Sequence, residues 1–490
     1  MSANTNWKAA VGFEFNAHPH PDPLPEGKGW GEGERYPIFS RKPWLRSESG
    51  SLLIIVLWIA FGLVALTLYF AHAMSMELRA SDNRVAAIES NQAIDGAARY
   101  LSNVLATVAV PGKMPSPLDY QDFRCEDVPV GEAAFWLIGR DTNDWEINLT
   151  KPAFGLVDEA SKLNLNAPWL TAELIQYLPR MTPQIAAAIM DWRDADTSVS
   201  TDGAEDETYS RLTQPYKAKN AAFESVEELR LVAGVTAEIL YGEDANLNGI
   251  LDANENDADE SAPYDNRDSR LDPGLMEYFT VSSREPATGT NINSQADVQA
   301  LLDSVLQPRA SQIVGQLFPR RPPNVPIPPM TSVMEFYLRG GFTADEFALV
   351  ADYLTATTNS FTDGLVNVNT ASQAVLECIP GITNEYAAQL ISYREANSSQ
   401  VTSIAWVATA MNNDTNALAA GPYITTRSYQ YTADVAAVGH HNRGYQRVRF
   451  VFDTSEGTPA IIHRQDLTHL GWALGSETRE QLLAAKEATR

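Results

Sequence analysis

Asp244-Ala245-Asn246-Leu247-Asn248-Gly249-Ile250-Leu251-Asp252-Ala253-Asn254-Glu255 sets oxygen-bearing side chains at the spacing a calcium loop requires. A hard cation wants roughly six to eight oxygens, and a tight loop aims its first, third and fifth side chains inward. Here those are Asp244, Asn246 and Asn248. Gly249 permits the sharp bend, Ile250 lends its carbonyl and anchors the loop, Asp252 binds directly or through water, and Glu255 closes the shell with both oxygens. The residues that follow carry Pro263 and little apolar period, so the exit helix of a full EF-hand is not expected. The loop predicts a structural calcium ion rather than a switch. Asp191, Asp194 and Asp196, followed by Asp202, Glu205, Asp206 and Glu207, form a weaker candidate cluster. Its alternative reading is a solvated face of mutually repelling charges.

Other chemistry is scarce. There is no GxSxG elbow, P-loop, HExxH or paired-cysteine motif, so an enzyme is not expected, and a calcium-dependent hydrolase lacks its nucleophile. His440 and His441 are adjacent but show no trusted metal-ligand spacing. Cys125 and Cys378 are too few for a disulfide scaffold, and whether they pair is left open. With 62 Asp plus Glu against 36 Lys plus Arg in 490 residues, the net charge of −26 disfavours polyphosphate binding, which rests on basic side chains displacing counterions.

The elements that must hold these residues come in a definite order. AAFWLIG, WEINLT, FGLVDE and KLNLN read as short strands up to residue 167, with turn signals at Asp141, Asn143 and Asp144. Helical spacing then begins, with Thr171 and Thr182 as N-caps, and continues past the proline-rich PPNVPIPPM to about Met411. YQYTADVAAVG and YQRVRFVFD flank HHNRG as a hairpin, and IIHRQDL follows. The helical block repeats itself. Asn164, Asn166 and Arg193 of the first copy align with Asn367, Asn369 and Arg394 of the second. The bends are Leu178-Pro179-Arg180-Met181, Ile379-Pro380-Gly381-Ile382 and a cousin, Val232-Ala233-Gly234-Val235, which is the helix-hairpin-helix pattern. No Lys or Arg follows Gly234 or Gly381 to hold a nucleic-acid backbone, so the repeat is read as structural and nucleic acid is not expected as a partner.

Residues 52–71 run uncharged for about the twenty residues that cross a bilayer. Arg35, Arg41, Lys42 and Arg46 precede them, which puts the N-terminus in the cytoplasm and the bulk of the chain outside it. The apolar run is too long for a cleaved secretory signal and leads into a stretch where Leu78, Val85, Ile88, Ala93 and Ala97 share one stripe. A basic leader ending in Gly50 before an uncut apolar helix resembles the class III signal of type IV pilins and pseudopilins, with cleavage between Gly50 and Ser51. The alternative is an ordinary single-pass anchor. The residues before Gly50, rich in Pro, Gly and Glu, read as unstructured, and their start codon as over-early. Position five of the mature chain, where such subunits carry Glu, is Ile55.

GSLLIIVLWIA, FGLVDEASKLNLNAP, MDWRDADTS with GAEDETYS, KNAAFESVEELRLVAGV and LVNVNTASQAVLECIPGI together resemble the protein K family of the type II secretion system, over most of residues 50 to 465. The resemblance implies an α+β fold: a pilin-like long N-terminal helix with a small antiparallel sheet, interrupted by a large all-α insertion carrying the helix-hairpin-helix repeats. The divisions are a leader (1–50), pilin helix (51–105), β part (106–167), two helical subdomains (168–322 and 323–420), closing strands (421–475) and a tail (476–490). It also implies calcium, cleavage and methylation by the prepilin peptidase, and an inner-membrane anchor with a periplasmic body. The family caps the pseudopilus tip with minor pseudopilins I and J, among other pseudopilins and secreted substrate proteins. A tip subunit has no neighbour above it, which suits Ile55 in place of the docking acid. The rival reading is an anchored DNA-uptake or adhesin-like module built on the helix-hairpin-helix repeats.

Overall fold

The computed structural model describes residues 49–488 except 108, 118–120, 122, 141–150, 259, 261, 264 and 321–327. The leader up to residue 48, the WEINLT strand with the turn before it, and most of the proline-rich linker lie outside the described residues.

Helix α1 runs over Ser49–Thr107. Its first part holds the apolar residues from Leu52 onward, all exposed, and it is the one described helix long and apolar enough to cross a membrane. The Gly50-Ser51 bond falls in its first turn. Further along, the buried face is Ala86, Ser90, Ala93, Ile94, Ala97, Leu101 and Val104. This corrects the expected stripe, because Ala93 and Ala97 lie inside while Leu78, Val85 and Ile88 are exposed. The inner face is set by small residues. At Gly439 and Gly444 a β-carbon would stand 2.3 Å and 2.4 Å from backbone atoms of Ala86, so the loop presses directly on the helix.

That helical face packs on an antiparallel sheet in the order β1 (Val128–Val130), β2 (Ala133–Ile138), then strands Gln430–Gly439, Arg443–Asp453 and Ala460–Asp466. β3 (Val157–Asp158) pairs beside β2 on the Gln430–Gly439 strand. Alternation divides the sheet cleanly. Phe135, Leu137, Tyr431, Ala433, Val435, Phe450 and Phe452 meet α1 on one face. Trp136, Ile138, Ala436 and Val438 on the other are covered by Ala473 and Leu474 of the C-terminal segment. Cys125 sits in the α1 core and Cys378 in a helix of the insertion; both are free, so no bridge forms.

The chain leaves the sheet at Asp158 and re-enters at Gln430. The block between is helical, and four two-stranded sheets stitch it together among the described residues. Three of these are parallel and built alike. Leu163-Asn164 pairs with Phe279-Thr280, Thr290-Asn291 with Leu354-Thr355, and Val366-Asn367 with Ile424-Thr425. Each unit opens on an Asn-x-Asn segment. The first Asn accepts from the backbone N–H of the second: Asn164 from Asn166 at 2.8 Å, Asn291 from Asn293 at 2.8 Å, and Asn367 from Asn369 at 3.0 Å. The second Asn ties a distant loop: Asn166 donates to Phe223 O, Asn293 to Met330 O and Asn369 to Val401 O. Each unit closes on Tyr-apolar-Thr, at Tyr278, Tyr353 and Tyr423. The insertion is therefore threefold repetitive, and the Asn291 copy is the one that pairwise alignment of the sequence missed.

The three expected hairpin bends are present. The third residue of each takes a positive φ: 60° at Arg180, 85° at Gly234 and 89° at Gly381. Arg180 tolerates this conformation because its guanidinium is bound, donating to Asp272 Oδ2 at 2.8 Å and Glu238 O at 2.9 Å. The Gly381 bend packs on Asn416 and Ala419, and the Gly234 bend on Ile185. Arg193 and Arg394 brace the Asn-x-Asn loops, Arg193 donating to the carbonyls of Leu165, Ala167 and Leu170, and Arg394 to those of Val368 and Ala371.

Candidate metal centres

Residues 244–255 form a closed loop with its polar groups turned inward. Asp244, Asn246, Asn248 and Glu255 are all buried. Asp244 accepts from the N–H of Asn248 at 2.9 Å and of Gly249 at 2.8 Å, and Gly249 takes φ of 78° at the bend. Glu255 reaches back across the loop and accepts from Ala245 at 2.9 Å and Asp252 at 2.9 Å. Asn246 and Asn248 both donate to Asp252 Oδ2, at 2.7 Å and 3.0 Å. Ile250 is buried and its N–H donates to Asn248 Oδ1, as an anchoring residue should.

The donor set suits a hard cation. Asn246 Oδ1 is buried with no hydrogen-bond partner. Burial lifts the Asp244 carboxyl above its usual range. Burial first, and the Asp244 charge second, push Glu255 up to about 8. Two buried acids that repel each other beside an orphaned amide oxygen are what an inward-facing oxygen site presents before a cation balances it. Asp244, Asn246, Asn248, the Ile250 carbonyl, Asp252 and Glu255 would hold the ion. No helix leaves the loop at Glu255, as its sequence implied.

Two arginines, Arg447 on the Arg443–Asp453 strand and Arg140 just past β2, grip the loop from outside. Arg447, fully buried, donates to the carbonyls of Asn246 and Leu247, the latter at 2.7 Å. It is paired with Asp434 at 2.7 Å. Arg140 donates to the same Leu247 carbonyl at 2.7 Å and pairs with Glu277 at 3.1 Å. Burial would raise the Asp434 carboxyl, but Arg447 and Arg449 outweigh it and hold the acid far below the carboxylate range. The C-terminal segment adds a contact, since Asn246 also donates to Trp472 O at 3.0 Å. Arg140, Arg447 and Trp472 could not be assigned to the loop from sequence, because they lie far from it along the chain.

The second cluster assembles more fully than its spacing suggested. Asp194, Asp196 and Glu205 bring carboxylate oxygens within 4.8 Å of one another. Helix Pro183–Arg193 carries Asp191 on its last turn, fully buried, and Glu205 caps the short helix Asp206–Ser210. Asp191 Oδ1, both Glu205 oxygens and Asn220 Oδ1 are buried without a well-formed hydrogen bond. Burial, then Asp191, raises the Glu205 carboxyl, and burial, then Asp196, raises that of Asp194. These residues also fit a hard cation, and Asn220 is a member that sequence reasoning did not name.

Three expected members fall elsewhere. Asp206 accepts from the N–H of Ala218 at 2.9 Å and stands 3.7 Å from Lys217, Glu207 pairs with Arg211, and Asp202 is exposed. The chain turns away at residue 206 to begin a helix, which separates neighbours in sequence. A β-carbon on Gly203 would stand 2.0 Å from Asp191 Oδ2. Gly203→Ala must therefore displace that carboxylate and is expected to weaken one calcium site at least tenfold, on the scale of a lost supporting contact. Calcium titration of the detergent-solubilised chain checks this. Unchanged affinity would remove Asp191 from the site.

The sequence of this region has relatives. Residues 160–241 match the family model of type II secretion system protein K, and residues 363–404 match that of the helix-hairpin-helix motif. Over residues 160–241 the chain is similar to protein K. The type II secretion system protein K of Pectobacterium carotovorum subsp. carotovorum is 41% identical over 56 residues, 11% of this chain and 17% of the relative. That of Aeromonas hydrophila is 49% identical over 57 residues, again 11% and 17%. The match thus spans about a sixth of the curated relatives' length. A chain of the GspK-GspI-GspJ complex from enterotoxigenic Escherichia coli aligns at a TM-score of 0.39 and 13% identity, covering 80% of this chain and 99% of that one. The matched residues span the Asp191 to Glu205 cluster and end just before the 244–255 loop.

Proposed function

We propose that the chain is a non-enzymatic minor pseudopilin of a type II secretion system, anchored in the inner membrane and acting at the tip of the pseudopilus to start its assembly. The observation that carries the reading is a stretch similar to protein K set within a pilin-like frame. That frame is a helix with an exposed apolar first part, and a second part laid along an antiparallel sheet. Ile55 in place of an acid leaves the anchor without a charge to pair with a neighbour's amine in the low-dielectric bilayer, which suits a terminal subunit. Peptidase cleavage between Gly50 and Ser51 frees that end. Calcium at the two oxygen clusters braces the insertion, as a structural ion.

Packed hairpin bends at Gly234 and Gly381 favour an architectural role for the helix-hairpin-helix repeats over nucleic-acid binding. Affinity purification of the tagged chain from detergent-solubilised membranes of its own cells is expected to recover two further pilin-like subunits, counterparts of those in the GspK-GspI-GspJ complex. N-terminal sequencing of the recovered chain is expected to start at Ser51. Recovery of the chain alone, with no pilin-like companion, would overturn the assignment.

A further inference from the structure

We propose that Asp82, His440 and His441 form a binding site for a divalent transition metal of the zinc type, at the place where helix α1 meets the tip of the central hairpin. One ligand atom from each of the three lies within 4.8 Å of the others. The site is separate from the two oxygen clusters of the insertion and differs from them in chemistry, because two imidazoles select a softer ion than calcium.

The supporting contacts are those a metal-binding histidine uses. Glu89 Oε2 lies 2.6 Å from His440 Nδ1 and accepts from the His440 backbone N–H at 3.1 Å. This second carboxylate fixes the ring through Nδ1, so Nε2 is the nitrogen that would bind the ion in place of its contact with Asp82, the usual carboxylate–histidine–metal arrangement. Nε2 faces Asp82 Oδ1 at 2.8 Å. The other Asp82 oxygen is held by Arg443, so the carboxylate offers Oδ1 in a fixed direction. Zinc bonds of about 2.0 to 2.2 Å place tetrahedral donors roughly 3.4 Å apart, so the Asp82 to His440 pair needs to open by less than about 1 Å. His441 supplies the third donor; its ring lies edge-on to that of His440, with centroids 4.9 Å apart. The fourth position is left for water.

The loop is built to present these rings. His441 is held at φ of 53° and Asn442 at 56°, conformations that cost such residues energy unless their surroundings demand them. The demand comes from the close approach of the loop to Ala86, and Ser90 Oγ donates to Gly444 O. With the His440 ring neutral, as a metal ligand must be, Asp82 and Glu89 carry two negative charges against the single positive charge of Arg443, so a divalent cation is electrostatically welcome.

The test is a zinc titration of the detergent-solubilised full chain against a chromophoric chelator, in excess calcium so that the oxygen clusters are not read. Cobalt is used in parallel for its tetrahedral absorption. The expected result is one tight ion per chain, with affinity falling at least tenfold in His441→Ala and unchanged in His463→Ala, an exposed histidine on the edge strand. His441 is exposed, so its removal leaves the His440 bridge and the fold in place. No tight zinc, or an equal response of the two variants, would overturn the site and leave Asp82, His440 and Glu89 as a plain charged bridge.

Discussion

Stripped of divalent cations, the chain is expected to lose stability as pH rises from about 4.5 to about 8, and calcium is expected to reverse that loss. The sign follows from Glu255. In the unfolded chain it releases its proton near 4.5, but in the folded chain burial and Asp244 hold the proton on until about 8. Between those values the folded state binds more protons than the unfolded one, so stability falls with rising pH. At about 1.4 kcal/mol per unit the effect is on the order of 5 kcal/mol. The raised Glu205 and Asp194 carboxyls add in the same direction. Asp434 and Asp453 do not offset it, because their carboxyls are depressed and their contribution is already complete above roughly pH 4. Calcium at a hundredfold its dissociation constant adds about 2.7 kcal/mol per site. Thermal unfolding in chelator and in calcium, near pH 5 and near pH 8, reads both effects. A metal-free chain equally stable at the two pH values would show that the acids are not held as described.

Arg447→Met is expected to destabilise the fold by about 3 to 5 kcal/mol, the usual cost of removing one partner of a buried ion pair. Asp434 would keep Arg449 at 2.9 Å but lose its fully buried partner. The same substitution removes two donors from the carbonyls of Asn246 and Leu247, so calcium affinity of the 244–255 loop should fall with it. Arg447→Lys is expected to rescue little, because one ammonium cannot serve a carboxylate and two carbonyls in the fixed fork of a guanidinium. Denaturant unfolding and calcium titration of the same variants check the claim. A loss of stability under about 1 kcal/mol would mean that Asp434 is satisfied without Arg447.

Much of this architecture is written in short-range pattern. The apolar run and the closing hairpin announce themselves through period and turn chemistry, and the 244–255 loop through six ligand positions in a row. The stripe on α1 is only half legible, because hydrophobicity and burial part company there. Ala86, Ala93 and Ala97 face the sheet, where backbone comes close, while Leu78, Val85 and Ile88 face outward. The third Asn-x-Asn unit was hidden by divergence of its helices, although Asn291, Asn293 and the Tyr-apolar-Thr ends stand plainly in the sequence. Contacts such as Arg447 with Leu247, or His440 with Asp82, join residues hundreds of positions apart, and no local spacing encodes them.

The insertion begins and ends at one place. Asp158 faces Tyr431 across a pair of adjacent strands, which lie about 4.8 Å apart. Its carboxylate accepts from Ser428 at 2.5 Å, Thr370 at 2.6 Å and Asn367 at 2.8 Å, fastening the exit and the return in a single knot. A gap so narrow is one that a tight turn of a few residues spans. The entire helical block thus hangs from one junction in the sheet, and an engineered form with that junction closed by a short turn is expected to keep the register of Val157–Asp158 against Tyr431–Thr432.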